Sequence, residues 1–261
     1  MADREKILRY YRSQDDGDLA ARLLDLVEYA IKYRRYKISE FLDPHGISIV
    51  ETIAAHYDQI STTSDGGYLG AERVKAAFVA EDYAGSIDFN IATISFRWDS
   101  IYYHITHRDI LGALMGLGIK REVLGDIIVR PGICHIIVDN TLTEFILQNI
   151  VTIGAAPVST SLADLSDIPP REEKTKDIKT TVPSLRLDVV AAAGYGVSRT
   201  RMSEEITADK VKINWQNVKN SSHTIKAGDI ISMRGRGRVE VCEIIGHTKK
   251  GRISILLKRF I

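Results

Sequence analysis

Between Ser184 and Ile213 the apolar residues change period, from helical spacing to strand alternation, across two glycines. Leu187, Val190 and Ala191 mark the inner side of a helix running from Leu185 to about Ala193, with Ser184 as its expected cap. Gly194 and Gly196 in AGYGV break that helix. Ser198 is the next expected N-cap, and Val197 with Met202 can close a hydrophobic staple around it. Met202 and Ile206 then face inward, and Val211 and Ile213 alternate with Lys210, Lys212 and Asn214 as a half-buried strand would. Arg201 stands where a capping box has glutamate, against the helix dipole by a few tenths of a kcal/mol. An anion at this helix start, where free N–H groups point outward, would offset that cost.

The net charge of +1 conceals a segregation. From Pro183 to Ile261 there are 15 Lys and Arg against 7 Asp and Glu; the rest of the chain holds 20 against 27. A basic end on an acidic body points to a polyanion-binding domain joined to something else. The alternative is a solvated surface with a chance imbalance. Phosphates need several cations held together, and Arg199, Arg201, Lys210 and Lys212 can share one surface.

Upstream, the chain to about Asp82 reads as helical. Leu19, Leu23, Leu26, Val27, Ala30 and Ile31 recur at helical spacing, and a second run follows Pro44 through Tyr57. STTSDGGYLG is turn-rich, and AERVKAAFVA reads as a helix or the approach to a strand. From Ala84 to Lys179 the order is strand, helix, strand, strand, helix, strand, with Pro131-Gly132 turning the central pair and Asp139 or Asn140 capping the second helix. That order implies helices on one face of a largely antiparallel sheet. Ser166 to Lys179, with Pro169-Pro170 and REEKTKDIK, reads as a linker or a further strand of this middle domain. The expected fold class is α+β, with domains at 1–82, 83–181 and 182–261, the last having its core at 183–240.

No run of about 18 apolar residues exists, so no membrane-spanning helix is expected. The N-terminus is charged and lacks an apolar signal core, and its early acidic residues argue against a transit peptide. Cys134 and Cys242 are far apart with no CxxC partner, which suits buried thiols in a reducing, cytoplasmic compartment.

The stretch from Ser184 to Gly235 resembles the ribosomal-protein S-four-type (alpha-L) RNA-binding domain. The landmarks are Arg186-Leu187-Asp188, Ser198-Arg199, Ile206, Val211-Lys212-Ile213-Asn214 and Gly228-Asp229. Two family glycines are replaced, by Asp209 before the strand and Trp215 after the asparagine, so a different tight turn is expected. Trp215 is read as cover for the core or as a base-stacking side chain. GGYLGAERVKAAF and HRDILGALMGLGIKREVLGDIIV resemble signatures of the YlmH-like family, whose phototroph members carry a photosystem II S-four-domain label. That resemblance covers almost the whole chain. It implies an N-terminal helical region, a middle domain like an RNA-recognition motif (RRM-like) and association with rRNA or tRNA, around the large ribosomal subunit and translation quality control.

Other motifs yield to plainer readings. His107-Arg108-Asp109 lacks the rest of a kinase catalytic loop, since Leu114 stands where asparagine is required. His104 and His107 have no cysteine or carboxylate cluster to share a metal with. Gly66, Gly67 and Gly70 mark a turn rather than a phosphate cradle, and Arg234 to Arg238 mark a hairpin turn with supplementary phosphate contact at most. Asp15, Asp16 and Asp18 read as a solvated loop capping the next helix.

The expectation is therefore a non-enzymatic protein that binds structured RNA, without cofactor, metal, DNA or membrane insertion. The expected RNA-binding residues are Arg199, Arg201, Lys210 and Lys212 on phosphates, Arg186 and Lys219 extending the patch, Ser198 at the helix start, and Asn214, which fixes the hairpin or reaches a sugar. Arg108, Lys120, Arg121 and Arg130 form a second patch or ordinary surface charge. Two alternatives remain open: an RNA-modifying enzyme of unusual type, and an assembly factor linked to photosynthetic complexes.

Overall fold

The computed structural model describes residues 4–12, 16–168 and 174–260 and divides into two units, 1–171 and 172–261. Helices and antiparallel sheets alternate through both, an α+β architecture.

The first unit begins with α1 (Arg4–Arg12), α2 (Gly17–Tyr33), β1 (Tyr36–Leu42), α3 (Pro44–Ala54), β2 (Ile60–Asp65) and β3 (Val74–Ala80). The strands form an antiparallel sheet in the order β1-β3-β2. Leu23, Leu24 and Val27 of α2 join Ile49 and Ile53 of α3 over Phe78 of β3. Sequence periodicity made this region helical, and the sheet corrects that. β3 is buried along nearly its whole length, so it shows none of the alternation that marks a half-exposed strand. Asp43 caps α3 by accepting from the Gly46 N–H at 2.9 Å, with Pro44 in the first turn. Asp16 makes no cap hydrogen bond; its carboxylate meets His45 Nε2 at 2.8 Å, while Asp15 lies outside the described residues.

The middle part runs β4 (Ile91–Arg97), α4 (His107–Gly116), β5 (Leu124–Arg130), β6 (Ile133–Asp139), α5 (Thr143–Asn149), the two-residue pair β7 (Thr152–Ile153) and β8 (Ala156–Pro157), and β9 (Ser159–Ala163). The antiparallel sheet β5-β6-β4-β9 carries Ile110 and Leu114 of α4 and Ile146 of α5 on one side, over Phe96, Cys134 and Ile136. This is the expected strand–helix–strand–strand–helix–strand order. Asp109 completes a capping box with Thr106, which gives the aspartate of the HRD tripeptide a structural role.

The two family signatures meet inside this unit. Asp126 of β5 accepts from the Tyr68 hydroxyl at 2.7 Å and from the N–H groups of Glu72 and Arg73 at 2.8 and 3.1 Å. The Arg73 guanidinium donates to the carbonyls of Leu124, Phe41 and Arg121. Lys75, 3% exposed, donates to Asp139 Oδ2 at 2.6 Å and to the Phe89 and Asn90 carbonyls. The cations of AERVKA therefore join two halves of the unit, Lys75 buried and Arg73 half-buried.

The second unit contains β10 (Thr175–Val182), α6 (Leu187–Tyr195), α7 (Arg199–Thr207), β11 (Val211–Ile213), β12 (Gln216–Asn217), β13 (Ile230–Met233), β14 (Gly237–His247) and β15 (Ile253–Phe260). Its antiparallel sheet has the order β10-β15-β14-β13-β11-β12. β10 pairs with β15 over eight positions, so the supposed linker holds a strand of this unit and none of the middle domain. The boundary falls near 171/172 rather than 181/182; residues 169–173 lie outside the described residues. Val190, Met202 and Ile206 of the helices bury against Val211, Ile231, Val239, Val241 and Leu257. Gly194 lies within α6 and does not end it; a Cβ there would sit 2.7 Å from Val239 Cγ1, so glycine serves close packing against β14. The helix ends instead at Gly196, with φ of 67°. Ser184 caps nothing; the loop carbonyls of His223 and Ser221 receive the Leu187 and Asp188 N–H groups.

Candidate nucleic-acid interface

Asp188 lies in the first turn of α6 and is 2% exposed. Its carboxylate receives Arg186 in a two-point contact, at 3.0 and 3.1 Å, and Arg199 Nε at 2.8 Å. Burial alone would raise its pKa, but these hydrogen bonds and the two positive charges outweigh that and hold it below the ordinary carboxylate range. Arg186 and Arg199 come from the starts of two different helices, and one buried anion fixes both while their remaining N–H groups face solvent.

Glu205 organises a second group. Lys210 Nζ lies 2.7 Å from one oxygen and Arg201 Nε 3.9 Å from the other, with Arg236 also close enough to act on the carboxylate. The hydrogen bond from Lys210 holds Glu205 below its usual range. Ser198 accepts from the Arg201 N–H at 3.2 Å, so its hydroxyl caps α7. Lys219 pairs with Asp209 at 3.2 Å, and Lys212 stands exposed on β11 between the buried Val211 and Ile213. Asp188 joins Arg186 to Arg199, and Glu205 joins Arg201 to Lys210; no ion pair links the two groups to each other or to Lys212 among the described residues.

The hairpin keeps the tight backbone that its missing glycines would have supplied. Asp209, Asn214 and Trp215 adopt φ of 54°, 48° and 66°. With Ile213 paired to Gln216, Asn214-Trp215 forms the two-residue loop in which both central residues are left-handed. Asn214 donates to Asp229 Oδ1 and accepts from the Ile230 N–H, both at 2.9 Å, so it fixes the hairpin. Trp215 is half-buried and is not among the side chains packed on the core of the unit.

The second patch is divided. Arg108, Lys120 and Arg130 are exposed. Arg121 turns inward, donating to the Leu124 and Gly125 carbonyls at 2.7 and 3.0 Å, and burial beside Arg73 lowers its pKa to about 10. Arg108 and His104 line an open cleft of about 580 Å³ with Tyr102 and Ile153. Among the described residues no three His, Cys, Asp or Glu side chains are placed to hold a metal. Sequence reasoning named Asp188 only as a landmark and passed over Glu205, because an acid inside a basic stretch reads as neutralisation rather than as a group that positions cations.

Arg186, Arg199, Arg201, Lys210 and Lys219 are thus each paired with a carboxylate, and Lys212 stands exposed beside them on β11. A family description, "S4 domain", matches residues 185–231, "Putative RNA-binding domain in YlmH" matches 85–167, and "YlmH, N-terminal" matches 15–83. The chain is 34% identical over 256 residues to the Bacillus subtilis (strain 168) ribosome-associated protein quality control protein P2, covering 97% of this chain and 98% of the relative. A solved structure titled cell division protein ylmH, from Streptococcus pneumoniae, matches with a TM-score of 0.51 at 21% identity. It covers 59% of this chain and 93% of its own, a likeness of fold. The chain belongs to the YlmH family of RNA-binding-domain proteins, with a C-terminal S4 domain.

Proposed function

We propose that this protein binds structured rRNA or tRNA at the large ribosomal subunit and serves ribosome-associated translation quality control. The observation that carries the reading is the buried Asp188 carboxylate holding Arg186 and Arg199 together at the start of two helices. Cations fixed in advance lose less side-chain freedom when they meet phosphates. With Arg201, Lys210, Lys212 and Lys219 they read the backbone of a folded RNA, so recognition rests on shape more than on sequence. The name of the Bacillus subtilis relative supports the ribosomal setting.

Binding, not catalysis, is the activity we assign. Asp188 stands in the first turn of α6, inside the proposed binding surface, and its three hydrogen bonds from two arginines give it a positioning role. The middle sheet is a weaker RNA surface than its likeness to an RNA-recognition motif suggests. The side opposite its helices carries Thr93, Ser95, His135 and Ile137, all buried, and Phe41 and Ile168 pack on Ile137.

The test is a titration of the full chain with tRNA and with large-subunit rRNA across a range of salt. Arg199→Ala with Arg201→Ala is expected to weaken binding and to lower the salt slope by about one phosphate contact each. An unchanged slope rejects the assignment. Sedimentation with ribosomes that nuclease abolishes supports the ribosomal reading, whereas nuclease-resistant association with membranes supports the photosynthetic-assembly alternative.

A further inference from the structure

At the far end of the chain from the S4 domain, Tyr29–Lys37 reads YAIKYRRYK. It holds Lys32, Arg34, Arg35 and Lys37, three tyrosines and no acid. The segment leaves α2, turns through Arg34 at φ of 50° and enters β1. All four cations are exposed, and so are Tyr29 and Tyr33, at 42% and 51%. These two rings, one helical turn apart, lie 4.5 Å between centroids. Lys37 Nζ sits 4.8 Å from the Tyr29 ring and Lys32 Nζ 5.3 Å from the Tyr33 ring. Lys32, Tyr33, Tyr29 and Lys37 therefore form one continuous surface built from two elements. Arg34 has a single exposed partner, Asp82 at 3.7 Å, and among the described residues no carboxylate lies within ion-pair distance of Lys32, Arg35 or Lys37.

A solvated helix surface commonly pairs its charges, as Arg4 does here with Asp25 and Glu28. This surface gathers one sign of charge around two aromatic rings that add nothing to the core. Cations without carboxylates suit phosphates, and exposed rings suit the flat faces of bases. An acidic peptide would use the first property only. An anionic membrane would call for a broad apolar surface to insert, and in this segment only the two rings of Tyr29 and Tyr33 stand exposed beside the cations. We propose that Tyr29–Lys37 is a second RNA site, taking an unpaired stretch of RNA with its backbone along the four cations and bases stacked on Tyr29 and Tyr33. The inference does not depend on RNA binding by the S4 domain.

The test uses the full chain and a short fluorescent oligouridylate, in a background carrying Arg199→Ala and Arg201→Ala. Tyr29→Ala with Tyr33→Ala is expected to weaken binding about tenfold or more. Replacing Lys32, Arg34, Arg35 and Lys37 together with Ala is expected to reduce the salt slope by about 3. Ultraviolet crosslinking of the otherwise unaltered chain, read by peptide mass spectrometry, is expected to place oligouridylate on the peptide carrying Tyr29 and Tyr33. Crosslinks confined to other peptides, or variants that keep the affinity and slope of their parent, overturn the proposal. So does a loss restricted to phosphatidylserine vesicles or polyglutamate while oligouridylate binding stays intact.

Discussion

Arg199 Nε and the Asp188 carboxylate meet at 2.8 Å, joining the start of α7 to the start of α6. The arginine remains mostly exposed while the aspartate is buried, so the anion acts as a fixed anchor and the cation as the presented group. Arg186 occupies the rest of the carboxylate. Removing the anchor should leave both arginines in place in sequence and disordered in space.

Asp188→Asn is therefore expected to weaken binding to structured RNA about as much as Arg199→Ala, on the order of tenfold. The stability cost should be near 1 kcal/mol, because the released arginines regain water. Isotherms for the two variants check the equivalence; unchanged binding by Asp188→Asn would remove Asp188 from the interface. The folded-state pKa of Asp188 is depressed, so its contribution is complete above the unfolded value of about 4 and fades as pH falls through the lower folded value. Melting curves of the two proteins should converge in that acid range and differ at neutral pH.

Asn214 holds both ends of its turn, donating to Asp229 and accepting from Ile230. Asn214→Ala loses both bonds and places an alanine at a positive φ, and about 2 kcal/mol of stability should go with them. Trp215→Gly should behave oppositely, since glycine takes a φ of 66° without strain. Thermal melts separate the two. A marked destabilisation by Trp215→Gly would show that the indole covers the core after all.

Lys75 is the buried cation between two parts of the first unit. Lys75→Ala strands two backbone carbonyls and takes one donor from Asp139, which keeps Asn90 and Thr141, and about 2 kcal/mol should be lost from this unit. Denaturant unfolding followed by fluorescence of Trp98, after Trp215→Phe, gives the measurement. A loss below 1 kcal/mol would mean that the Lys75–Asp139 pair does not clamp the signature segment.

Cys134 is fully buried in the middle sheet, and burial pushes its thiol well above the ordinary range. The native protein should leave it unmodified by iodoacetamide at neutral pH, with reaction beginning only on unfolding. Cys242 is half-buried and is also raised by burial, so it should react slowly in the folded state. Mass spectrometry of timed reactions distinguishes the two thiols.

The sequence by itself determined the order of the middle domain, the two short helices of the C-terminal unit, the Ser198 cap and the basic balance of that end. Each is a local property: spacing of apolar residues, a hydroxyl before a helix, a count of charges. The tertiary structure decided which neighbours in the chain face the same way. Lys120 and Arg121 are adjacent cations, yet one is exposed and the other donates to two carbonyls inside. β10 looked like a linker because its partner β15 begins more than 70 residues later and its own pattern is polar along an edge. β3 hid because both its faces are covered, and Asp188 hid because its meaning lies in an arginine from another helix. Burial and pairing across the fold are long-range facts, and no local pattern carries them.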